Sequence, residues 1–282
     1  MGTVPRPRTS EGDRVRSAPA TGVTVRLTGV EASYGRITAL DGIDLEVLAG
    51  TTTALIGPNG SGKSTLLALV SGLVRPVRGR VEVLGQPPTG ARRRIAHVLQ
   101  TNVANEAVPL TVGETVRMGC YGRRGAFRPL TSGDRAAVRR AIDRMRIGDL
   151  VDRQLHELSG GQRQRVYVAQ ALAQRADILL LDEPITGLDL VTQETITEVI
   201  DEERARGRTV VLTTHDVGTA ELADLVVLLA TRIVAAGPPD EVLTPSLLAE
   251  AYRGHAHVLE DGTVVLDEAH HHDPRHHDQL GM

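Results

Sequence analysis

The chain has 282 residues, of which 41% are hydrophobic, and a net charge of −3, so it is long enough to bury the core of one large domain or of two small ones. The weak net charge excludes a global attraction to nucleic acid or to an anionic membrane. The single cysteine, Cys120, excludes a disulfide framework and favours a reducing cytoplasm, and no apolar run approaches the roughly 20 residues of a membrane-spanning helix.

The first residues, 1–22, are polar, contain prolines and show no periodicity, which predicts a disordered leader without the apolar segment of a secretory signal. Alternating apolar residues then predict strands at Val23–Val30 and Ile43–Leu48. Tyr34 stands between these strands, in a chain with only 2% aromatic residues. It is placed either to stack on a nucleotide base or to pack at the end of a strand.

The segment Gly57–Thr65, called here the phosphate loop, reads G-x-x-x-x-G-K-S-T. A predicted strand, Thr52–Ile56, precedes it and a predicted helix, Ser64–Val74, follows it, which is the context that phosphate binding requires. Its glycines let successive N–H groups point at an anion, and the positive end of the helix adds to that field. Lys63 is placed to reach the β- and γ-phosphates, and the Ser64 hydroxyl to hold Mg²⁺. The predicted nucleotide contacts of the loop are Gly57, Pro58, Asn59, Gly60, Ser61, Gly62, Lys63, Ser64 and Thr65.

A helical insert is predicted to interrupt the α/β pattern over residues 106–163, after two short strands at Arg80–Leu84 and Ile95–Leu99. The cluster Arg92–Arg94 between these strands is interpreted as a solvated edge rather than as a nucleic-acid patch. In the insert, the apolar period changes to that of a helix, and a capping box predicts a helix over Asp134–Met145. The insert ends in Leu158–Gln162, called here the signature segment, which opens a helix-compatible run, Arg163–Gln174.

Four apolar residues, Ile178–Leu181, predict a central parallel strand that is buried on both faces. Asp182 and Glu183 follow at its carboxyl end. Asp182 is placed to hold Mg²⁺ opposite Ser64, and Glu183 to polarise an attacking water as general base. Acidic pairs are common on protein surfaces, but an apolar strand before the pair and a phosphate loop upstream favour the catalytic interpretation.

The rest of the chain continues to alternate between helices and strands. Helices are predicted at Val191–Arg206 and Val217–Asp224, and strands at Thr209–Thr213 and Leu225–Leu229, with His215 after the first of these strands. This alternation predicts an α/β fold with a doubly wound, mostly parallel sheet.

Together, these motifs resemble those of the ATP-binding subunits of ABC transporters, over roughly residues 23–255. A signature segment beside a phosphate loop is very specific to ABC-type ATPases. The residues that carry the resemblance are Tyr34, the phosphate loop, Gln100, the signature segment, Asp182, Glu183, Gly187–Asp189 and His215. The resemblance implies a P-loop NTPase (RecA-like) core with an antiparallel β subdomain and an inserted helical subdomain. The implied organisation is a leader (1–22), an ATPase domain (23–254) and a tail (255–282).

The resemblance also implies a head-to-tail homodimer that binds two ATP molecules with Mg²⁺ at its interface. The phosphate loop and carboxylates of one subunit would face Ser159, Gly160, Gly161 and Gln162 of the other, where a hydroxyl and N–H groups at a helix start form a second anion cradle. By the same resemblance, Tyr34 stacks on adenine, and Gln100 couples Mg²⁺ to the membrane subunit. His215 holds the γ-phosphate and orients the water of Glu183, and Asp189 joins the two sites across the dimer.

A narrower resemblance concerns the transported substrate. The segments Asn105–Gly119 and Tyr252–Leu259 resemble those of zinc and manganese importers. This implies a separate membrane permease, an extracytoplasmic metal-binding protein and a peripheral position on the cytoplasmic face of the cell membrane. An importer of siderophores or haem remains an alternative. A soluble ATPase acting on DNA or ribosomes fits less well, because the chain has one cassette and no long heptad run, and no nucleic-acid partner is predicted.

The tail is rich in histidine, since seven of the ten histidines lie between positions 255 and 277. Imidazoles interleaved with carboxylates are ligands that Zn²⁺ prefers, but a flexible cluster is not a shaped site. The sequence therefore leaves two interpretations open, a zinc-binding tail and a solvated appendage. A small hairpin is predicted around the turn Glu260–Gly262. The candidate zinc ligands are His255, His257, His270, His271, His272, His276 and His277.

Overall fold

A computed structural model describes residues 22–99, 109–124, 128–252, 256–258 and 264–266. Residues 1–21 of the predicted leader, Gln100 and most of the histidine-rich tail lie outside these ranges. The strands of the described part are β1 Val23–Tyr34, β2 Ile37–Leu48, β3 Thr52–Ile56, β4 Arg78–Val83, β5 Ile95–Val98, β6 Ile178–Leu181, β7 Thr209–Thr214, β8 Leu225–Ala230, β9 Arg232–Gly237, β10 Ala256–Val258 and β11 Val264–Leu266. The helices are α1 Lys63–Ser71, α2 Pro88–Ala91, α3 Val112–Arg124, α4 Ser132–Arg144, α5 Gly160–Gln174, α6 Leu190–Ala205, α7 Val217–Glu221, α8 Pro239–Val242 and α9 Pro245–Ala251.

The largest sheet has the strand order β5-β6-β7-β3-β8-β9. Its first five strands pair in parallel, and only β9 runs antiparallel, at the edge. The three central strands β6, β7 and β3 are buried along their whole length, as their apolar sequences predict for strands covered on both faces. The mostly parallel sheet of the sequence analysis is therefore confirmed.

The two faces of this sheet pack against different layers, because successive side chains of a strand point to opposite sides. Leu179 and Leu212 belong to a core with helices α3 to α6. Their neighbours Leu180 and Val211 belong to a second core with α1 and a separate antiparallel sheet. That sheet has the order β2-β1-β4. Because β3, β7 and β6 are parallel neighbours, their carboxyl ends lie on the same side of the large sheet, with β7 between the other two.

Some elements differ from their predicted bounds. Strand β2 begins at Ile37 rather than Ile43, because its polar residues around a left-handed Gly42 (φ 67°) hide the alternating pattern. Strand β9 was not predicted. Helix α1 ends at Ser71, three residues earlier than predicted, where the left-handed Gly72 (φ 74°) donates its N–H back to the last turn.

Three helices, α3, α4 and α5, pack together beside the sheet. The predicted capping box is present at the start of α4, where the Thr131 hydroxyl accepts from the Asp134 N–H and the Asp134 carboxylate accepts from the Thr131 N–H. The helix accordingly begins at Ser132, two residues before the predicted start. Asp134 is almost fully buried and pairs with Arg175 at 3.0 Å. The exact bounds of the insert, 106–163, remain a prediction.

A buried ion cluster, formed by Glu203 with Arg144, Arg206 and Arg208, joins α4 to the end of α6. Glu203 is 1% exposed. Its carboxylate accepts from Arg144 at 2.6 Å and from Arg206 at 2.9 Å, and it also pairs with Arg208. A buried charge is stable only when it is paired, and three arginines share the carboxylate of Glu203, so this cluster holds α4 against the end of α6.

The tail contains the antiparallel pair β10 and β11, in which Ala256 is opposite Leu266. This agrees with the predicted hairpin, although its turn lies outside the described residues. Within the described ranges, no helix combines the length and the apolar character that crossing a membrane would require. No group of three or more potential metal-ligating side chains is found in those ranges either.

Candidate nucleotide-binding site

The phosphate loop lies between β3 and α1, as its sequence predicts. Two of its glycines are required by close packing. A Cβ at Gly57 would lie 2.0 Å from the Leu229 carbonyl oxygen, and one at Gly62 would lie 2.5 Å from the Ala39 carbonyl oxygen. Gly62 also has φ 101°, a conformation that side chains other than glycine rarely adopt. The loop backbone is therefore held tightly against β8 and β2.

Three polar side chains of the loop, those of Ser61, Lys63 and Thr65, are buried. The Lys63 ammonium donates to the carbonyl oxygens of Gly57, at 2.6 Å, and Pro58, at 3.1 Å. The Ser61 hydroxyl is 4% exposed and has no hydrogen-bond partner among the described residues. A buried ammonium, a buried hydroxyl and the start of a helix together suit an anionic phosphate group.

Hydroxyl groups connect the acidic pair after β6 to the neighbouring elements. The Ser64 hydroxyl donates to Asp182 Oδ1 at 3.1 Å, and Thr213 on β7 donates to the same oxygen at 2.7 Å. The Thr213 hydroxyl in turn accepts from the Glu183 N–H at 2.8 Å. A hydroxyl and a carboxylate oxygen side by side are ligands that Mg²⁺ prefers. The structure thus brings Ser64, Asp182 and Glu183 together as the sequence predicts.

Glu183 has a left-handed backbone, with φ 47°. For a residue other than glycine this conformation costs about 1–2 kcal/mol and persists only where neighbouring groups hold it, which is common at functional sites. The hydrogen bond from its N–H to Thr213 is one such restraint. The Glu183 residue itself is half-buried.

Thr213 is the residue that sequence reasoning missed. Its side chain is completely buried, and it lies opposite Leu55 of β3 on one side and next to the end of β6 on the other. The only signal in the sequence was a polar residue inside a central, buried strand, and two further threonines of β7 give the same signal.

The signature segment begins helix α5 with a capping box of its own. The Ser159 hydroxyl accepts from the Gln162 N–H at 3.2 Å, and the Gln162 side chain accepts from the Ser159 N–H at 3.0 Å. Ser159 and Gly160 are exposed, and Gly161 is half-buried. A Cβ at Gly161 would lie 3.0 Å from the Asp189 carboxylate. The signature segment therefore contacts the start of α6 in its own chain.

Asp189 caps α6, since its carboxylate accepts from the backbone N–H of Thr192 at 3.0 Å and from its hydroxyl at 2.9 Å. These hydrogen bonds hold the pKa of Asp189 below its ordinary value. An ionised carboxylate at a helix start is also favoured by the helix dipole.

The remaining predicted residues lie around this centre. Tyr34 is 52% exposed at the end of β1. His215 is half-buried after β7, in a turn closed by a hydrogen bond from the Asp216 N–H to the Thr214 hydroxyl.

His97 on β5 is mostly buried, and neither ring nitrogen has a partner among the described residues. Burial lowers the pKa of His97, and the nearby Asp182 opposes this shift. Gln100 lies outside the described residues.

The sequence profile of the ABC transporter family matches residues 40–186 of this chain, a span that contains the phosphate loop, the signature segment and the acidic pair. The chain is 38% identical to a zinc transport system ATP-binding protein of Treponema pallidum, over 83% of this chain and 89% of that protein. It is 38% identical to a chelated iron transport system membrane protein of Yersinia pestis, over 84% and 81% of the two. It is 37% identical to a manganese transport system ATP-binding protein of Bacillus subtilis, over 87% and 98%.

Solved structures of ABC transporter subunits resemble this chain as well. A dimeric bacterial ABC transporter cassette has a TM-score of 0.69 and 29% identity, covering 76% of this chain and 98% of that one. The cbiO1 subunit of Clostridium perfringens, part of an ABC transporter complex, has a TM-score of 0.68 and 28% identity, covering 81% and 93%. These likenesses agree with the fold predicted from the sequence.

Proposed function

The chain belongs to the ABC transporter family as an ATP-binding subunit with ATPase activity, and from this premise we propose that it powers the import of a divalent metal ion, zinc or manganese, through a separate membrane permease. The observation that carries the choice of substrate is the similarity to proteins named for zinc and manganese transport, which extends over more than four fifths of this chain. The segment Asn105–Gly119, which resembles that of zinc and manganese importers, supports the same choice.

In this proposal, the phosphate loop binds ATP. Its N–H groups and Lys63 neutralise the phosphates, and Tyr34 stacks on the adenine. Ser64 and Asp182 hold Mg²⁺, to which Gln100 also contributes. The metal ion would supply stabilisation of the negative charge on the phosphate oxygens.

Glu183 is the proposed general base, which accepts the proton of the attacking water. The left-handed turn at Glu183 and the hydrogen bond of its N–H to Thr213 support this role, because they restrain the backbone that carries the Glu183 side chain next to Asp182. His215 would orient the same water and hold the γ-phosphate.

The complete site requires two copies of the chain in this proposal. Ser159, Gly160, Gly161 and Gln162 of one subunit would complete the phosphate site of the other, and Asp189 would link the two sites. The exposed hydroxyl and N–H groups at the start of α5 support this arrangement. The dimer would bind a permease on the cytoplasmic face of the cell membrane, with an extracytoplasmic metal-binding protein as an indirect partner. Residues 23–254 would form the ATPase domain and 255–282 an accessory tail.

Uptake of radioactive zinc and manganese by cells that lack this chain tests the proposal. We expect uptake of one of the two ions to be lost, to be restored by the parent chain and not to be restored by Glu183→Gln. A matched control is Glu198→Gln, which makes the same change at an exposed residue of α6 and should restore uptake. Undiminished uptake of both ions in the cells lacking the chain would refute the metal assignment.

A second candidate function is the import of chelated iron. It is favoured by one observation, the 38% identity to a chelated iron transport system protein. The same cells, supplied with iron-loaded siderophore or haem, distinguish the two: loss of iron uptake with normal zinc and manganese uptake would favour this second function.

A further inference from the structure

Thr213 lies at the centre of the candidate site without having been assigned any part in it. It is near the end of β7, the strand between β3, which leads into the phosphate loop, and β6, which leads into Asp182 and Glu183. Its side chain is completely buried. Its position thus lies between the two halves of the phosphate site.

The hydroxyl of Thr213 forms two hydrogen bonds whose directions are fixed. A hydroxyl has one proton to donate. Because the Asp182 carboxylate oxygen at 2.7 Å can only accept when ionised, that proton points to Asp182. The oxygen of Thr213 then accepts from the Glu183 N–H at 2.8 Å. One side chain therefore connects the carboxylate of one acidic residue to the backbone of the next.

We propose that Thr213 is a positioning residue for ATP hydrolysis, which fixes the position of the Asp182 carboxylate relative to the backbone of Glu183. The inference rests on the proposed roles of Asp182 in binding Mg²⁺ and of Glu183 as general base. Asp182 Oδ1 accepts from both Ser64 and Thr213, so its rotation is restrained from the loop side and from the sheet side. The left-handed turn at Glu183 is restrained through its N–H.

A side chain of the same shape without the hydroxyl should remove both hydrogen bonds of Thr213 while keeping the packing around it. Valine matches threonine in volume and strand preference. At position 213 it would remove the Thr213 oxygen that accepts from the part-buried Glu183 N–H and one of the donors to Asp182. The left-handed turn at Glu183 and the orientation of Asp182 would then both be less restrained.

The chain offers a matched control, Thr53 on β3. Thr53 is also completely buried, lies on the strand paired with β7 and has a hydroxyl without a hydrogen-bond partner among the described residues. Thr53→Val therefore removes a buried hydroxyl from the same sheet without removing a link to the acidic pair.

The first test uses the full chain without nucleotide and measures hydrogen exchange of the Glu183 amide by NMR or by mass spectrometry of a peptide containing it. Thr213→Val should accelerate this exchange by roughly tenfold, the equivalent of one lost hydrogen bond. Thr53→Val should leave it as in the parent, and Thr213→Ser, which retains a hydroxyl, should restore most of the protection. An amide that exchanges at the parent rate in Thr213→Val would overturn the proposal.

The second test measures ATP hydrolysis as a function of ATP and Mg²⁺. Thr213→Val should lower kcat and raise the Mg²⁺ concentration for half-maximal rate, each by roughly tenfold, with a much smaller change in KM for ATP. Thr213→Ser should recover most of the loss. If the valine variant has a lower melting temperature, the comparison of serine with valine at a temperature where both are folded decides the question. The proposal would be overturned if Thr53→Val lowered kcat and raised the required Mg²⁺ concentration as much as Thr213→Val does.

This inference can fail separately from the proposed function. Parent-like exchange and kinetics of Thr213→Val, in a chain that restores metal uptake, would refute the positioning role and leave the importer intact. Hydrolysis by the parent without any metal uptake would refute the importer and leave the result for Thr213 standing.

Discussion

The phosphate loop and the signature segment differ in what their polar groups bond to. Around the loop, Lys63 and Asp182 are 6% and 5% exposed. Lys63 donates to carbonyl oxygens of the loop itself, and Asp182 accepts from Ser64 on α1 and from Thr213 on β7. In the signature segment, Ser159 and Gln162 bond to each other, and the helix start is exposed. The polar groups of the first region are buried and bonded across several elements of the chain, whereas the second region is an exposed helix start.

The burial of the first region and the exposure of the second suit them to different steps of ligand binding. A buried network can be pre-organised before a ligand arrives, so it suits the binding of phosphate and metal. Exposed donors at a helix start act only when an anion is brought to them. The contrast supports the proposal that a second copy of the chain brings its bound nucleotide to the signature segment.

The largest effect is expected for Glu183→Gln, which removes the proposed base from the buried region. ATP turnover should fall by about 10²–10⁴, while ATP binding is retained. Because the exposed region would still be bridged by uncleaved ATP, a dimer should accumulate, measurable by analytical ultracentrifugation with ATP and Mg²⁺. Glu198→Gln should hydrolyse ATP like the parent. Parent-like turnover by Glu183→Gln would show that Glu183 is not the base.

A pair of glycine substitutions separates the two regions. In the buried region, a Cβ at Gly62 would lie 2.5 Å from a backbone oxygen, so Gly62→Ala should abolish nucleotide binding by the single chain. In the exposed region, Gly161→Ala requires the Asp189 and Thr192 side chains to move by only tenths of an ångström. It should bind nucleotide as a monomer but hydrolyse ATP roughly tenfold more slowly, because one anion contact is disturbed.

Equilibrium binding of a fluorescent ATP analogue, compared with steady-state hydrolysis, checks this pair. The opposite pattern, with binding lost in Gly161→Ala and kept in Gly62→Ala, would invert the assignment of the two regions. Equal loss of binding in both variants would show that the signature segment contributes to the site of its own chain.

A smaller effect should appear in the pH dependence of stability. Burial lowers the pKa of His97 from its ordinary value of 6.5, so the neutral ring is favoured in the folded chain. As the pH falls below about 6.5, the unfolded chain takes up a proton that the folded chain does not, and the free energy of unfolding decreases until the lowered pKa is reached.

The variant His97→Phe tests this expectation. Urea denaturation between pH 7.5 and 5.5, without nucleotide or Mg²⁺, should show a smaller loss of stability in His97→Phe than in the parent chain. The carboxylate of Asp182, the charged group that acts on His97, is present in both. If the free energy of unfolding changed with pH in the same way in both proteins, His97 would bind protons equally in the folded and unfolded chains.

The smallest effect on hydrolysis is expected from removal of the tail, which lies outside both regions. A chain truncated after Arg253 should hydrolyse ATP like the full chain but lose zinc binding in titration calorimetry at neutral pH. A flexible segment must be ordered when it binds, so the affinity of the full chain should be modest, and it should fade below about pH 6.5 as the imidazoles are protonated. Equal zinc binding by both chains would identify the tail as a solvated appendage.

The sequence predicted those features that depend on neighbouring residues. The phosphate loop, the acidic pair after β6 and the capping box at Thr131 all follow from short patterns, and each is present in the structure. The start of β2 and the whole of β9 were missed, because polar residues or weak alternation hide strands whose pairing decides their existence.

Thr213 could not have been identified from the sequence for a different reason. Its partner Asp182 is 31 residues away along the chain, and only the order β6-β7-β3 brings the two together. The roles proposed for Gln100 and the tail histidines remain predictions, since these side chains lie outside the described residues.

The buried ion cluster of Glu203 has a mechanical consequence. It clamps α4 to the far end of α6, whose near end carries Asp189 against Gly161. Between Glu203 and Asp189 the helix spans roughly 21 Å at 1.5 Å per residue, as a stiff rod. We therefore expect a displacement of α4 to tilt α6 and so to move Asp189 relative to Gly161 of the signature segment, with α6 acting as a lever arm.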